Sequence, residues 1–383
     1  MIGRLASLAL GVAFVASAAA QQGVTKDEIV IGTVQDLSGP ISVIGTYVRQ
    51  GMEAQVDAVN AAGGINGRKL RLVVEDSGYD PRKAITATRK LLGQDKVFAI
   101  VGTLGSSIVK VTMPVSLEAG VPFLFPGAPI DDVYEPPKKL AFAYNGTYTR
   151  QFTSATQYAW DKMNKRRVCL FAQDDETGEQ VEKGIAAGLK AQKATLTEKV
   201  TFKRGATDFS SQIAKLKAAN CDIVMVGATV RDAANAAAER QKQGWDVTMM
   251  VGQAAALTPF VALAGPGGEG VYGINLWPPL HELRGRPQIA KIIEAYEKKN
   301  SKPFDDLVLT GHEMVALFSE GAKRAGPELT PDTLVKGLES LKDFDPGFGF
   351  WPMTFTPTQR LGSASTVLTQ VKGGKWVSVG QLN

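Results

Sequence analysis

Cysteine and histidine are scarce in this 383-residue chain: Cys169 and Cys221, His281 and His312, and no others. Two cysteines exclude a scaffold built on disulfides. Both lie at apolar, strand-like runs, "RVCLFA" and "CDIVMVGA". They either face each other across adjacent strands or stay as free buried thiols, and free thiols are the plainer expectation. Neither histidine stands in an HExxH pattern or beside a cysteine, so a zinc site or a serine-type triad is poorly supplied. The phosphate loop GxxxxGK[ST], a GxGxxG after a strand and the nucleophile elbow GxSxG are missing as well. No metal or cofactor is expected, and no enzyme. The formal net charge of +5 is small and dispersed, which argues against a nucleic-acid partner.

Long apolar runs are missing too, except at the start. "MIGRLASLALGVAFVASAAAQQ" has one Arg at position 4, an apolar stretch, then small residues. That order predicts a secretory signal peptide over residues 1–20, cut before Gln21. The stretch is too short and too rich in Ala and Gly to serve as a membrane span.

What remains is a soluble globular composition, 44% hydrophobic and 21% charged, long enough for about two or three domains. Strand and helix signals alternate. "EIVIGTV", "KLRLVVED", "KVFAIVG" and "VPFLFPGAP" read as strands, with helical spacing over 46–62, after Asp80-Pro81 and after "GTLGSS". Asp80 suits an N-cap and Pro81 the first helical turn. The alternation restarts after Tyr148 with "RRVCLFAQ", "TLTEKVTF", "CDIVMVGA" and "VTMMVGQ" and their intervening helices. Repeated units with short loops predict parallel sheets covered on both faces. "GVYGINLWPPL" and "FGFWPMTFTPTQ" suit crossings between two lobes, with helices over 287–300, 307–324 and 331–341 between them. The acids Asp174, Asp175 and Glu176 follow one another without the alternate spacing of a calcium loop, and read as helix-cap residues. Ligands of open α/β sheets sit at the carboxyl ends of strands. "IVGTLGSSIVKVTMPV" offers such an end, where a helix N-terminus presents backbone N–H groups to an anion.

Several stretches resemble the leucine/isoleucine/valine-binding group of periplasmic solute-binding proteins, the receptors of ABC importers. They are "IGTVQDLSGPISVIGTYVRQGMEAQVDAVNAAGGINGRKLRLVVEDSGYDPRKA", "AIVGTLGSSIVKV", "VPFLFPGA" and "FAQDDETGE" through "CDIVMVGA". The resemblance implies two doubly wound, Rossmann-like α/β lobes joined by three crossover segments, with the ligand cleft between them. Lobe one would comprise residues 25–144 and 276–352, lobe two residues 145–275 and 353–383. It further implies a periplasmic location, a monomer, and ABC permease subunits in the inner membrane as partners.

Carried over by resemblance, a ligand carboxylate is held by Ser106 and the backbone of Gly127, Ala128 and Pro129, with Gly105 and Ser107 beside them. Ile44 stands where amino-acid binders have an aromatic, Thr177 and Thr229 where lobe two supplies tyrosines, and His312 where a further aromatic lies. The family's cysteine pair falls on Tyr79 and Gly105. The acid that pairs with an α-ammonium falls in "VGQAAAL", whose polar side chain is Gln253. Tyr148 and Arg150 flank the first crossing, and Arg150 is the alternative partner for a carboxylate. An unpaired buried ammonium is costly, so the sequence favours an aromatic or apolar monocarboxylate, with His312 bonding a ring hydroxyl; Asp174 to Glu176 on the neighbouring loop are the alternative partner for an ammonium. Branched-chain amino acids are the alternative within the same family. An exported α/β hydrolase using Ser106 is the rival from another class.

Overall fold

The structure is a computed structural model describing residues 21–301, 303–345 and 351–382. The predicted signal peptide and Phe348–Phe350 of the second crossing stretch lie outside the described residues. The first half alternates as expected: β1 (Glu28–Gln35), α1 (Ser42–Ala61), β2 (Lys69–Asp76), α2 (Pro81–Gly93), β3 (Ala99–Val101), α3 (Ser106–Glu118), β4 (Phe123–Leu124) and β5 (Ala141–Phe142). Asp80 caps α2, accepting from the N–H groups of Arg82 at 2.8 Å and Lys83 at 3.0 Å, with Pro81 in the first turn. The second half runs α4 (Tyr148–Asp161), β6 (Val168–Gln173), α5 (Glu176–Ala191), β7 (Glu198–Phe202), α6 (Ser210–Ala218), β8 (Ile223–Gly227), α7 (Val230–Lys242), β9 (Thr248–Val251), α8 (Thr258–Ala264) and β10 (Tyr272–Asn275). Then come α9 (Leu280–Leu283), α10 (Pro287–Asn300), α11 (Asp306–Ala325), α12 (Pro331–Glu339), β11 (Thr366–Lys372) and β12 (Lys375–Leu382).

One sheet has the order β2-β1-β3-β4-β5 and is parallel throughout. The other is β12-β11-β10-β9-β8-β6-β7, parallel from β7 to β10, with the hairpin β11–β12 added antiparallel at one edge. In the first sheet the winding reverses between β1 and β3, in the second between β6 and β8. These are the switch points where the loops diverge and leave a crevice. Each sheet is buried on both faces. Ile29 and Ile31 enter one core with Met314 and Phe318 of α11, while Val30 and Val34 enter another with Ile108 and Val109 of α3. Burial on both sides is why these strands read as continuous apolar runs.

Three passages connect the sheets: 143–147 after β5, 276–279 after β10, and 361–365 before β11. The first and third run side by side, since Gly362 N donates to Ala143 O at 2.9 Å and Ser363 N to Tyr144 O at 3.2 Å, and Trp351 Nε1 donates to Leu276 O of the second at 2.9 Å. Met353, Phe355 and Leu361 were assigned to the second lobe by the sequence but pack in the first lobe's cores. Phe355 is fully buried with its ring 5.4 Å from Phe142 and 5.9 Å from Phe125, so the chain leaves the first lobe only after Leu361. The free-thiol expectation is also corrected. Cys169 and Cys221 form a disulfide, because the neighbouring strands β6 and β8 bring their Cα atoms to 5.9 Å, within bridging distance.

Candidate ligand-binding cleft

Both switch points open on one cleft of about 110 Å³. In the first lobe, β3 leads into a turn held against the end of β4, where Gly127 N donates to Thr103 O at 2.9 Å. Gly105 caps α3 at φ 99°, and a Cβ there would lie 2.3 Å from Tyr79 Cε2. Only glycine fits both demands. Ser106 is therefore the first helical residue rather than the cap. It lines the cleft, 3% exposed, beside first-turn N–H groups that precede the helix's own bonds. In the second lobe Thr177 opens α5 under the Asp175 cap, and Thr229 caps α7 with its hydroxyl given to Asp232 Oδ2 at 2.8 Å. Gln253 is held by Gln151, whose Nε2 donates to its Oε1 at 2.9 Å.

The cleft thus gathers Ile44, Gly105, Ser106, Gly127, Pro129, Tyr148, Thr177, Thr229 and Gln253 of the residues expected from the sequence. Four others lie off its lining. Ser107 sits at the mouth, where its hydroxyl accepts from Arg204 Nη2 at 3.4 Å. Ala128 points into the core with Ile130 and Val133. Arg150 is turned to Tyr134, donating from Nε to the phenol oxygen at 3.0 Å, so it is no partner for a carboxylate in the cleft. His312 is buried on the side of α11 that meets α1, where close approach is allowed by Gly51 and Gly311. Burial lowers its pKa to about 4.

Its helix nevertheless reaches the cleft through Asp306, Leu307 and Thr310. His312 is two residues beyond Thr310, roughly 200° round the helix, so it faces away from the cleft lining that Thr310 joins. Asp306 was missed entirely. It is the one acid or base that lines the cleft among the described residues, apart from the phenols of Tyr79, Tyr144 and Tyr148. Burial raises the pKa of all three phenols and keeps them neutral. Apolar side chains supply much of the remaining wall: Ile41, Val48, Leu104, Leu257, Leu276 and Trp277.

Two switch points facing each other across such a cleft are the architecture of a closing trap for small molecules. Residues 28–375 match the family model described as periplasmic binding protein. The chain belongs to the periplasmic binding protein family. It is similar to "Leu/Ile/Val-binding protein homolog 3" of Brucella melitensis, 25% identical over 92% of this chain and 94% of that one. Its fold is similar to the branched-chain amino acid transporter substrate-binding protein of Streptococcus pneumoniae solved with isoleucine, with a TM-score of 0.78, 22% identity and coverage of 92% and 100%. It is also similar to a solute-binding protein from R. palustris solved with benzoate, with a TM-score of 0.79, 19% identity and coverage of 92% and 95%. Periplasmic binding proteins of ABC transporters bind small molecules and deliver them to permeases. No helix among the described residues is long and apolar enough to cross a membrane.

In this periplasmic binding protein the two lobes also touch across the mouth of the cleft. Lys183 of α5 pairs with Asp131 at 2.6 Å, and Lys110 of α3 with Glu176 at 2.9 Å. Burial alone would raise the Asp131 carboxyl, but hydrogen bonds from Lys183, Thr147 and Thr149 hold it below its ordinary value. Arg204, in the loop after β7, donates from Nη1 to Tyr79 O at 2.8 Å and stacks 4.2 Å from the centre of the Tyr79 ring. Its other nitrogen lies 3.3 Å from Asp175 of its own lobe. Tyr79 adopts φ 58°, unusual for a residue with a side chain. Its ring lies over Gly105, where a Cβ would meet Tyr79 Cε2 at 2.3 Å.

Proposed function

We propose that this chain is the extracytoplasmic receptor of an ABC importer, exported by its N-terminal leader, that captures a small carboxylate with an apolar body. The carrying observation is the pole formed by Ser106 and the N-terminus of α3, set in a largely apolar cleft between two lobes. A helix N-terminus with a buried hydroxyl stabilises an anion. Branched-chain amino acids are the first candidates, in keeping with the names carried by relatives such as the Brucella protein. The case against an ammonium rested on finding no acid in Val251–Leu257, and Asp306 in the cleft removes that premise. Aromatic acids are the second reading. Ile44, Thr177 and Thr229 leave room where bulkier rings are usual in the family, and Trp277 offers an aromatic surface.

Thermal unfolding with leucine, isoleucine, valine, benzoate and phenylpropanoid acids tests this. A true ligand at a hundredfold excess over its Kd adds about 2.7 kcal/mol, a shift of several degrees. Stabilisation by none of these carboxylates overturns the reading.

A further inference from the structure

Asp306 is a carboxylic acid without an evident duty. An acid in the first turn of a helix is ordinarily exposed and satisfied by the free N–H groups there. That duty is already filled by its neighbour: Asp305 caps α11 and accepts from Leu307 N at 2.9 Å. Asp306 is 9% exposed, and its Oδ1 is buried without a hydrogen-bond partner. Thr310 stands one turn further along the same face, and Asn275 at the end of β10 and Trp277 of the second passage also line the cleft. Burial, then the charge of Asp305 and a hydrogen bond shared with it, push the Asp306 pKa well above the carboxylate range. Backbone N–H groups of Leu307 and Asp306 work against that rise, yet Oδ1 itself still has no partner.

A buried acceptor with no donor costs free energy until something supplies one. We propose that Asp306 is a specificity-determining residue whose Oδ1 accepts a hydrogen bond from a donor on the ligand itself, either an ammonium or a hydroxyl. This rests on the reading of the cleft as a carboxylate receptor, and adds to it a second polar requirement. The ligand is then an apolar acid that also carries an N–H or O–H donor, and its donor-free analogue is rejected. A site built to bond such a group discriminates strongly against analogues lacking it, because the site's own polar atom is left unpaired.

Two matched pairs test it by calorimetry: leucine against 4-methylpentanoate, and 4-hydroxybenzoate against benzoate. The wild-type protein is expected to favour the donor-bearing member of at least one pair by tenfold or more. Asp306→Leu is expected to erase that preference while retaining the donor-free acid. Asp306→Ala, with the thermal midpoint of each variant measured alongside, repeats the comparison without the larger side chain. Titration in buffers of different ionisation enthalpy separates the donors. Pairing with an ammonium makes Asp306 release its proton on binding, whereas a hydroxyl releases none. Equal affinity within both pairs, or a preference that survives both substitutions, overturns the proposal. Ser106→Ala keeps the two readings apart. It should weaken both members of a pair alike, and if it weakens neither, the carboxylate pole itself is wrong.

Discussion

At the scale of single residues, the cleft sets a polar pole at Ser106 in a largely apolar wall, and Ser106→Ala measures that pole. Losing a hydrogen bond to a charged group costs about 1.5–3 kcal/mol, so the affinity should fall roughly ten- to a hundredfold with the fold intact. Unchanged affinity by calorimetry would place the carboxylate elsewhere. Glu313 reports on a different property. It is buried beside the three passages, near Tyr144, Trp351 and Ser363. Burial, then the nearby Asp345 carboxylate, raise its pKa to about 8. The folded protein therefore keeps this proton well above the pH at which the unfolded chain gives it up. Stability from Glu313 is fully present below the unfolded pKa of 4.5 and is lost as pH rises toward about 8, at about 1.4 kcal/mol per pH unit. Glu313→Gln removes the titration. The variant should be the more stable protein at pH 8, with the gap closing toward pH 5. Denaturant midpoints that differ equally at both pH values would show that Glu313 does not titrate there.

Elements bear the one covalent link between β6 and β8. Reducing Cys169–Cys221 releases a 52-residue separation in the unfolded chain, which the loop-entropy account values at about 4 kcal/mol. Thermal unfolding of the full chain with and without reductant should show a lower midpoint when reduced, and coincident curves would show that sheet pairing already fixes the two strands. The elements were largely legible in the sequence because both sheets are buried on two faces, so β1 and β8 appear as apolar runs between helical periods. Asp80-Pro81 marked a helix boundary through backbone chemistry. The short strand β5, two residues long, carries no period to detect, whereas β4, equally short, showed as the apolar run in "VPFLFPGAP". The hairpin β11–β12 escaped because a long stretch between α12 and β11, through the third passage, breaks the alternation. The cleft was legible where loops follow strand ends, as at Ser106, Gly127 and Thr177. It was not legible on α11, where Asp306 and His312 are six residues apart and so about 240° out of phase, and no sequence pattern reports that phase against a partner lobe. Nor do the sequences "RVCLFA" and "CDIVMVGA" say that β6 and β8 are neighbours; only the sheet order does.

For the molecule as a whole, the question is what holds the lobes together once a ligand is inside. Arg204 is anchored to Asp175 in its own lobe and reaches Tyr79 and Ser107 of the other. With Lys183–Asp131 and Lys110–Glu176 it closes the mouth with charged contacts that act only when the lobes meet. A contact present in one conformation and absent in the other shifts the balance by its own free energy. The guanidinium is about one-third exposed, so screening reduces its worth. Its stacking on Tyr79 and its bond to a backbone carbonyl still make it the strongest of the set. Arg204→Ala should therefore speed ligand release by about tenfold while changing the association rate little, because the ligand meets an open cleft before the mouth closes. Arg204→Lys keeps the charge but loses the flat stack, and should fall between the two. Raising the salt from 0.05 to 0.5 M, about a threefold shorter screening length, should quicken release from the wild-type protein more than from Arg204→Ala. Small-angle scattering should show the wild-type protein more compact with saturating ligand than without, and the Arg204→Ala protein less compact than wild type at the same saturation. Stopped-flow release rates that match between wild type and Arg204→Ala would mean that the ligand alone holds the lobes shut.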